Sequence, residues 1–170
     1  MDTVTLLLLS ILPCMAIVAG LHDVTTMKIP NWISGLLIIA FFPTAFLVGL
    51  PPMVVLMHVG IAFAALLVGM VLFARGYIGG GDAKLISASC LWMGLTGSGM
   101  FLVWTGLAGG LVCLGLIAAR AQLQSYTTGA PGWVAQLMEP RGDLPYGVAI
   151  AVGALMAYPG SGLLTAFAAG

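Results

Sequence analysis

Gly79-Gly80-Gly81-Asp82-Ala83-Lys84 places an acid and a base behind three glycines, in a chain whose 170 residues include only 5 Lys/Arg and 5 Asp/Glu. A second carboxylate, Asp23, follows the first apolar segment and leads into Ile29-Pro30-Asn31. A carboxylate within a membrane costs about 2.5–3.5 kcal/mol on insertion scales, so two of them demand a reason. Two carboxylates that share a site do not both ionise easily. One keeps a proton while the other acts as base, and their macroscopic pKa values separate. Such a pair can activate water, drive its attack on a carbonyl and protonate the leaving amine. Hydrolysis of a peptide bond is therefore the first chemistry to test against Asp23 and Asp82, provided that the first and fourth apolar segments pack together. The glycines before Asp82 remove side chains, so a substrate backbone can come within hydrogen-bonding distance, and they permit unusual backbone angles at the start of the fourth helix.

Structural readings compete with this one. Asp82 can be the N-cap of the fourth helix and pair with Lys84, and Asp23 can be a loop acid near Lys28. Both acids on one face of a nearly charge-free protein favour the chemical reading over two coincidences. Lys84 is close enough to Asp82 in sequence to influence its ionisation. His22, next to Asp23, reads as an interfacial structural residue, and His58, alone within the third apolar segment, as a hydrogen-bond partner for another helix. Cys14, Cys90 and Cys113 lie singly within apolar segments without CxxC spacing, and read as packing residues.

The elements that must position these residues are membrane spans. Hydrophobic residues make up 61% of the chain and charged residues 6%, where a soluble domain carries about 25% charged. Mean hydropathy is +1.16. Six apolar stretches are visible: Thr3–Leu21, Trp32–Leu50, Met53–Ala74, Leu85–Thr96, Met100–Ala119 and Leu144–Ala168. A span takes about 20 residues, so the fourth is short and must borrow from Ile78–Lys84 or enter the membrane as a broken, tilted helix. The expected architecture is an all-α integral membrane protein, a single six-helix bundle over residues 1–170 with no second domain. The first stretch reads as a retained span, since Met1-Asp2-Thr3 has no positive charge and no Ala-x-Ala site follows.

Lys28, Arg75, Lys84, Arg120 and Arg141 all fall on the first, third and fifth connections of such a bundle. The positive-inside rule then makes those loops cytoplasmic and both termini external, with Asp23 and Asp82 on the cytoplasmic side. Gly49-Leu50-Pro51-Pro52 and Gly94–Gly99 are the external turns. The long fifth connection contains Thr127-Thr128-Gly129-Ala130-Pro131-Gly132, and its Trp133–Met138 piece suits the membrane surface. Gly106, Gly109, Gly110 and Gly115 suit close helix packing. Neutral net charge and the absence of a basic run argue against nucleic acid.

Three local motifs occur together: Asp23 followed by Ile29-Pro30-Asn31, then Gly79-x-Gly81-Asp82-x-Lys84-Leu85, then Pro145-Tyr146-Gly147. In this order the chain resembles a prepilin peptidase, the short form associated with Tad (Flp) pilus assembly. The resemblance covers nearly the whole chain, though outside the motifs it is mainly hydropathy. It implies a bundle of the GxGD aspartic protease type in the bacterial inner membrane, with catalytic aspartates at Asp23 and Asp82. The implied substrates are pilin precursors, cut at the cytoplasmic face between a short basic leader and a long apolar helix. Membrane lipid surrounds such a protein, and the pilus assembly machinery is a further implied partner.

Gly79, Gly80, Gly81, Lys84, Asn31 and Tyr146 match motif positions and read as substrate-binding or supporting residues. Larger members of that family carry a cytoplasmic insertion with a cysteine tetrad and also N-methylate the new terminus. Here only the ten residues His22–Asn31 join the first two spans, without cysteine. Neither zinc nor S-adenosylmethionine is therefore expected, and no cofactor at all. Presenilin-like GxGD proteases have more spans and a different partner motif, and fit less well. Two other classes use membrane acids. A proton-coupled transporter would place them near the bilayer midplane, among helices interrupted at Pro13, Pro43 or Pro159. A noncatalytic assembly subunit would use them to bind a basic partner segment.

Overall fold

The computed structural model describes residues 3–123, 131–139 and 142–169, and helix is the only regular structure among them. Arg141 and Thr127–Ala130, to which the sequence assigns a cytoplasmic loop, lie outside the described residues. The order is α1 (Thr3–Leu9), α2 (Ile11–Thr26), α3 (Asn31–Leu47), α4 (Pro52–Ala74), α5 (Gly80–Leu123), α6 (Gly132–Leu137), α7 (Tyr146–Ala157), a 3₁₀ turn at Tyr158–Gly160, and α8 (Gly162–Ala169). Four stretches are long and apolar enough to cross a membrane: Thr3–Thr26, Pro52–Ala74, Gly80–Gln122 and Tyr146–Ala168. The chain is thus a multi-pass membrane protein. Helix α3 has 17 residues and spans about 25 Å, slightly less than a hydrocarbon core.

Prolines and left-handed residues end the helices. Pro30 is extended ahead of α3, and Pro51 does the same ahead of Pro52, the first residue of α4. Gly49 and Gly76 take positive φ after α3 and α4. Met27 closes α2 with φ 52°, and its N–H bonds to the Asp23 carbonyl at 2.8 Å.

The fourth and fifth expected spans form α5, whose 44 residues would measure about 66 Å if straight. They are not straight. Gly94 has φ 68° and ψ −169°, outside helical space. Ser98 Oγ donates to the Cys90 carbonyl at 3.3 Å, although eight residues of helix rise about 12 Å. Farther along, Gly109 packs on the Tyr146 ring, which lines the same cavity as Asp82. The two arms therefore fold back on each other at Gly94. The expected six-residue external loop Gly94–Gly99 is instead this one-residue break, with helix resuming immediately after it. His58 stabilises the bend, donating from Nδ1 to the Leu91 carbonyl at 2.7 Å, whose helical partner would lie beyond the break. A side chain at 94 would meet the His58 ring at 2.6 Å, so glycine is required there for space as well as for φ.

The first arm of α5 is the centre of the bundle. Leu85, Ala88, Cys90, Leu91, Trp92 and Met93 share one buried core with Leu12 and Ala16 of α2, Ile33, Leu37 and Phe41 of α3, and Ile150 and Ala154 of α7. Helix α5 packs on α7, α4 and α3, and α2 packs mainly on α7, so the first and fourth apolar segments, expected to pack together, are joined chiefly through α7. Trp92 Nε1 donates to the Leu37 carbonyl at 2.9 Å, and Ser87 Oγ to the Ala62 carbonyl at 2.8 Å. An arm that neighbours shield from lipid has no need of a continuous apolar surface. This accounts for the weak hydropathy of the fourth stretch and for the boundary that sequence places at Leu85, five residues inside the actual start at Gly80. The second arm and α4 instead expose Leu107, Leu111, Leu114, Phe63 and Val68, the surface that lipid tails would cover. The short helix α6 buries no residue, and Trp133 is 42% exposed, in keeping with a surface segment.

Candidate active site

Asp23 lies in the last turn of α2 and Asp82 in the first turn of α5. The chain between α2 and α3 holds these two ends together. After the left-handed turn at Met27, Ile29 passes directly over Gly81. A Cβ on Gly81 would lie 3.0 Å from Ile29 Cβ and 3.2 Å from its carbonyl oxygen. Two residues on, Asn31 Oδ1 accepts from Lys84 Nζ at 2.8 Å. His22 Nδ1 donates to the Lys28 carbonyl at 2.8 Å, which fixes the same turn from its other side. His22 is thus a loop holder, as its interfacial position implies.

The result is a cavity of about 640 Å³ whose walls include both Asp23 and Asp82. Met27, Ile29, Tyr77, Gly79, Gly80, Gly81, Asp143 and Tyr146 also line it. Asp23 is buried, with 6% of its surface exposed, and Asp82 is half-buried. The two are near enough for the charge of one to act on the other. Each carboxylate has one oxygen tethered to a backbone donor. Asp23 Oδ2 accepts from Gly147 N–H at 2.7 Å, at the N-terminus of α7, where the helix dipole favours an anion. Asp82 Oδ2 accepts from Gly79 N–H at 3.0 Å, reaching back from the third helical position to the residue before the helix. This is the acid half of a capping box. The N-capping reading of Asp82 is thus right in kind, although the residue sits inside the first turn and faces the cavity as well.

The tethers fix both side chains at one oxygen, and among the described residues the other Oδ of each has no hydrogen-bond partner. Both acids line one cavity, so a water held there could lie between base and acid.

Of the residues singled out in sequence, Asp23, Asp82, Gly79, Gly80, Gly81 and Tyr146 share the cavity wall. Lys84 and Asn31 lie outside it and engage each other, so Lys84 is a brace rather than the partner of Asp82. The glycine run also differs from expectation. Among the described residues positive φ occurs at Gly49, Gly76, Gly94 and Met27, so Gly79–Gly81 begin α5 without unusual angles. The space above Gly81 is filled by the protein's own Ile29.

Sequence reasoning missed Gly147 as a donor, and Met27, Tyr77 and Asp143 as wall residues. Asp143 had a usable signal, being one of five acids in the chain. Gly147 had only its place after Pro145-Tyr146. A Cβ there would sit 2.8 Å from Asp23 Cβ, a contact that no sequence pattern reveals.

No curated protein and no solved structure matches the chain. A family match does, covering residues 10–129, well over half of the sequence, and taking in Asp23, Asn31 and the whole of Gly79–Lys84. The Pro145-Tyr146-Gly147 motif falls beyond the matched stretch and joins the site through the bond to Asp23. The chain belongs to the Type IV leader peptidase family.

Proposed function

We propose that this protein is an aspartic endopeptidase with six membrane crossings, which removes the basic leader from prepilins of the Flp/Tad kind at the cytoplasmic face of the bacterial inner membrane. The observation that carries the reading is the shared cavity: Asp23 and Asp82 line it together, each held by one oxygen on a backbone N–H. Family membership supports peptide hydrolysis and a prepilin substrate. The fold-back of α5 at Gly94 supports counting its arms as two crossings, which gives six when α3 and the α7–α8 stretch are included.

One carboxylate, ionised, takes a proton from a water lying between the two. The other, protonated, polarises the scissile carbonyl as the oxygen of that water bonds to the carbonyl carbon. The tetrahedral intermediate collapses with breakage of the C–N bond, and a carboxyl proton passes to the leaving amine. The pair ends with its starting complement of one proton. No metal and no cofactor takes part in this scheme.

Purified full-length protein and a peptide carrying a basic leader and an apolar helix test the proposal. Asp23→Asn and Asp82→Asn should each abolish cleavage while substrate is still bound and the protein still inserts. The double variant should be no worse than either single one, because the acids act as a unit. Substantial cleavage by purified Asp23→Asn protein would overturn the assignment. Bound but uncut substrate in wild type would favour an assembly subunit.

A further inference from the structure

Arg120 lies in the last turn of the second arm of α5, and its positive charge accords with a role in topology. Its geometry goes beyond a point charge. Nε donates to the Leu137 carbonyl at 3.0 Å, Nη1 to the Gly142 carbonyl at 3.1 Å, and Nη2 to the Asp143 carbonyl at 2.9 Å. All three guanidinium nitrogens thus engage main chain, on both sides of residues 140–141. Leu137 ends α6, where unpaired carbonyls carry the negative end of the helix dipole. Asp143 and the next residue, Leu144, line the cavity, and Gly147, four residues past Asp143, holds Asp23.

Gly109 lies eleven residues earlier, about three helical turns, so it shares the face of the arm that carries Arg120. There the Tyr146 ring packs on the bare Cα; a Cβ would meet Tyr146 Oη at 2.9 Å and Cζ at 3.0 Å. One face of α5 thus seats the entry to α7 at two points, the ring of its first residue and the carbonyls leading into it.

We propose that Arg120 is a positioning residue for the Asp23 side of the cavity. It works through the planar fork of its guanidinium, which fixes the Gly142–Leu144 wall and, through it, the N-terminus of α7. Its charge is a separate contribution, to topology. The inference rests on the peptidase reading for its assay, and on the three hydrogen bonds for its substance.

Arg120→Lys tests it, because lysine keeps the charge but offers its donors from a single point that cannot span three carbonyls. In purified full-length protein, Arg120→Lys should raise the KM for a leader-bearing peptide several-fold, since Asp143 and Leu144 line the substrate space. It should also lower kcat by about tenfold, within the roughly hundredfold that a 1 Å misplacement can cost. A merely structural role would reduce the folded fraction and leave the KM of the remainder unchanged. Arg120→Ala adds a second measurement: ethylguanidinium should restore cleavage and ethylammonium should not. Wild-type KM and kcat in Arg120→Lys, or equal rescue by both cations, would overturn the proposal. If Arg120→Ala does not fold, the lysine variant alone decides. Failure of the peptidase reading shows separately, as bound but uncut peptide with the wild-type protein.

Discussion

Gly147 N–H donates to Asp23 Oδ2 at 2.7 Å, joining residues 124 apart in sequence and placing the start of α7 against the end of α2. The bond requires the two backbones to come unusually close, and glycine is what permits it: a Cβ at 147 would lie 2.8 Å from Asp23 Cβ and 2.9 Å from Oδ2. Asp23 is therefore positioned by a missing side chain as much as by a donor.

Gly147→Ala is the direct test. Alanine favours a helix over glycine by about 1 kcal/mol, so propensity alone predicts a slightly more stable α7. Collision with Asp23 predicts the opposite for catalysis, because the carboxylate must move or lose its donor. The expected outcome is a fall in kcat of about a hundredfold, the scale of a 1 Å misplacement, with membrane insertion retained. Single-turnover cleavage with purified protein measures it. Unchanged kcat would show that the Asp23 tether is not needed for the reaction.

A second prediction concerns the brace between Lys84 and Asn31. Their hydrogen bond of 2.8 Å ties the start of α3 to the first turn of α5, and so holds the two acid-bearing helix ends at a fixed spacing. Both side chains are exposed, and even exposed charged pairs contribute only about 0.2–1 kcal/mol. Lys84→Met and Asn31→Ala should each destabilise the protein by an amount in that range, and the double variant by much less than their sum. Thermal unfolding in detergent reads the cycle; additive losses would mean that the two side chains do not act as a pair.

The acids, the glycine run and the apolar stretches are legible in sequence because each is a contrast: charge in an apolar chain, or apolar length between turns. That contrast singles out Asp23 and Asp82, and the alternation of basic loops puts them on one side; their pairing still depends on how the helices pack. What stays hidden is whatever depends on two distant backbones touching. Gly147 looks like any glycine near a proline until Asp23 lies against it. Lys84 looks like a partner for Asp82, two residues away, yet a first-turn acid reaches back to Gly79 while the lysine reaches across to Asn31. The start of α5 is obscured for a different reason. Its first arm is enclosed by other helices, so Ser87 and Ser89 can be buried there and the hydropathy signal weakens where the packing is densest.

Gly81 gives a third prediction, separating passage of substrate from packing of the chain itself. A Cβ added at Gly81 would lie 3.0, 3.5 and 3.2 Å from the Cβ, N and O of Ile29, so trimming the isoleucine side chain would not relieve an added methyl. Gly81→Ala should destabilise the protein by about 1–3 kcal/mol, the usual range for overpacking, and Gly81→Val should block cleavage. Gly110→Ala, where nothing lies within 4 Å, should be close to neutral. Melting temperatures and cleavage rates of the three variants decide. Full stability with no cleavage in Gly81→Ala would instead return the space above residue 81 to the substrate.

The last prediction is topological, and the chemistry depends on it. A basic leader stays in the cytoplasm because Lys and Arg resist translocation, so the acids must face the cytoplasm to meet it without moving charge across the bilayer. Thr25 and Tyr77 are exposed and flank the cavity end of the bundle, next to Lys28 and Arg75. Pro51 and Gly99 are exposed near the opposite end, ahead of α4 and just past the bend at Gly94. Gly97 is unsuitable for a label because it is buried against Met93 and Ser161. Once Cys14, Cys90 and Cys113 are replaced by alanine, single cysteines at 25 and 77 should be protected from an impermeant thiol reagent added outside intact cells. Cysteines at 51 and 99 should react. None of these changes removes a Lys or Arg, so the charges that set orientation are left in place. Labelling of 77 but not 25 from outside would put the Asp23 and Asp82 connections on opposite faces, and one cavity could not then serve a cytoplasmic leader. Protection at 51 together with 25 would mean that α3 does not cross, and α4, which is long enough to cross, would then carry Tyr77 and Asp82 to the outer face, away from Asp23.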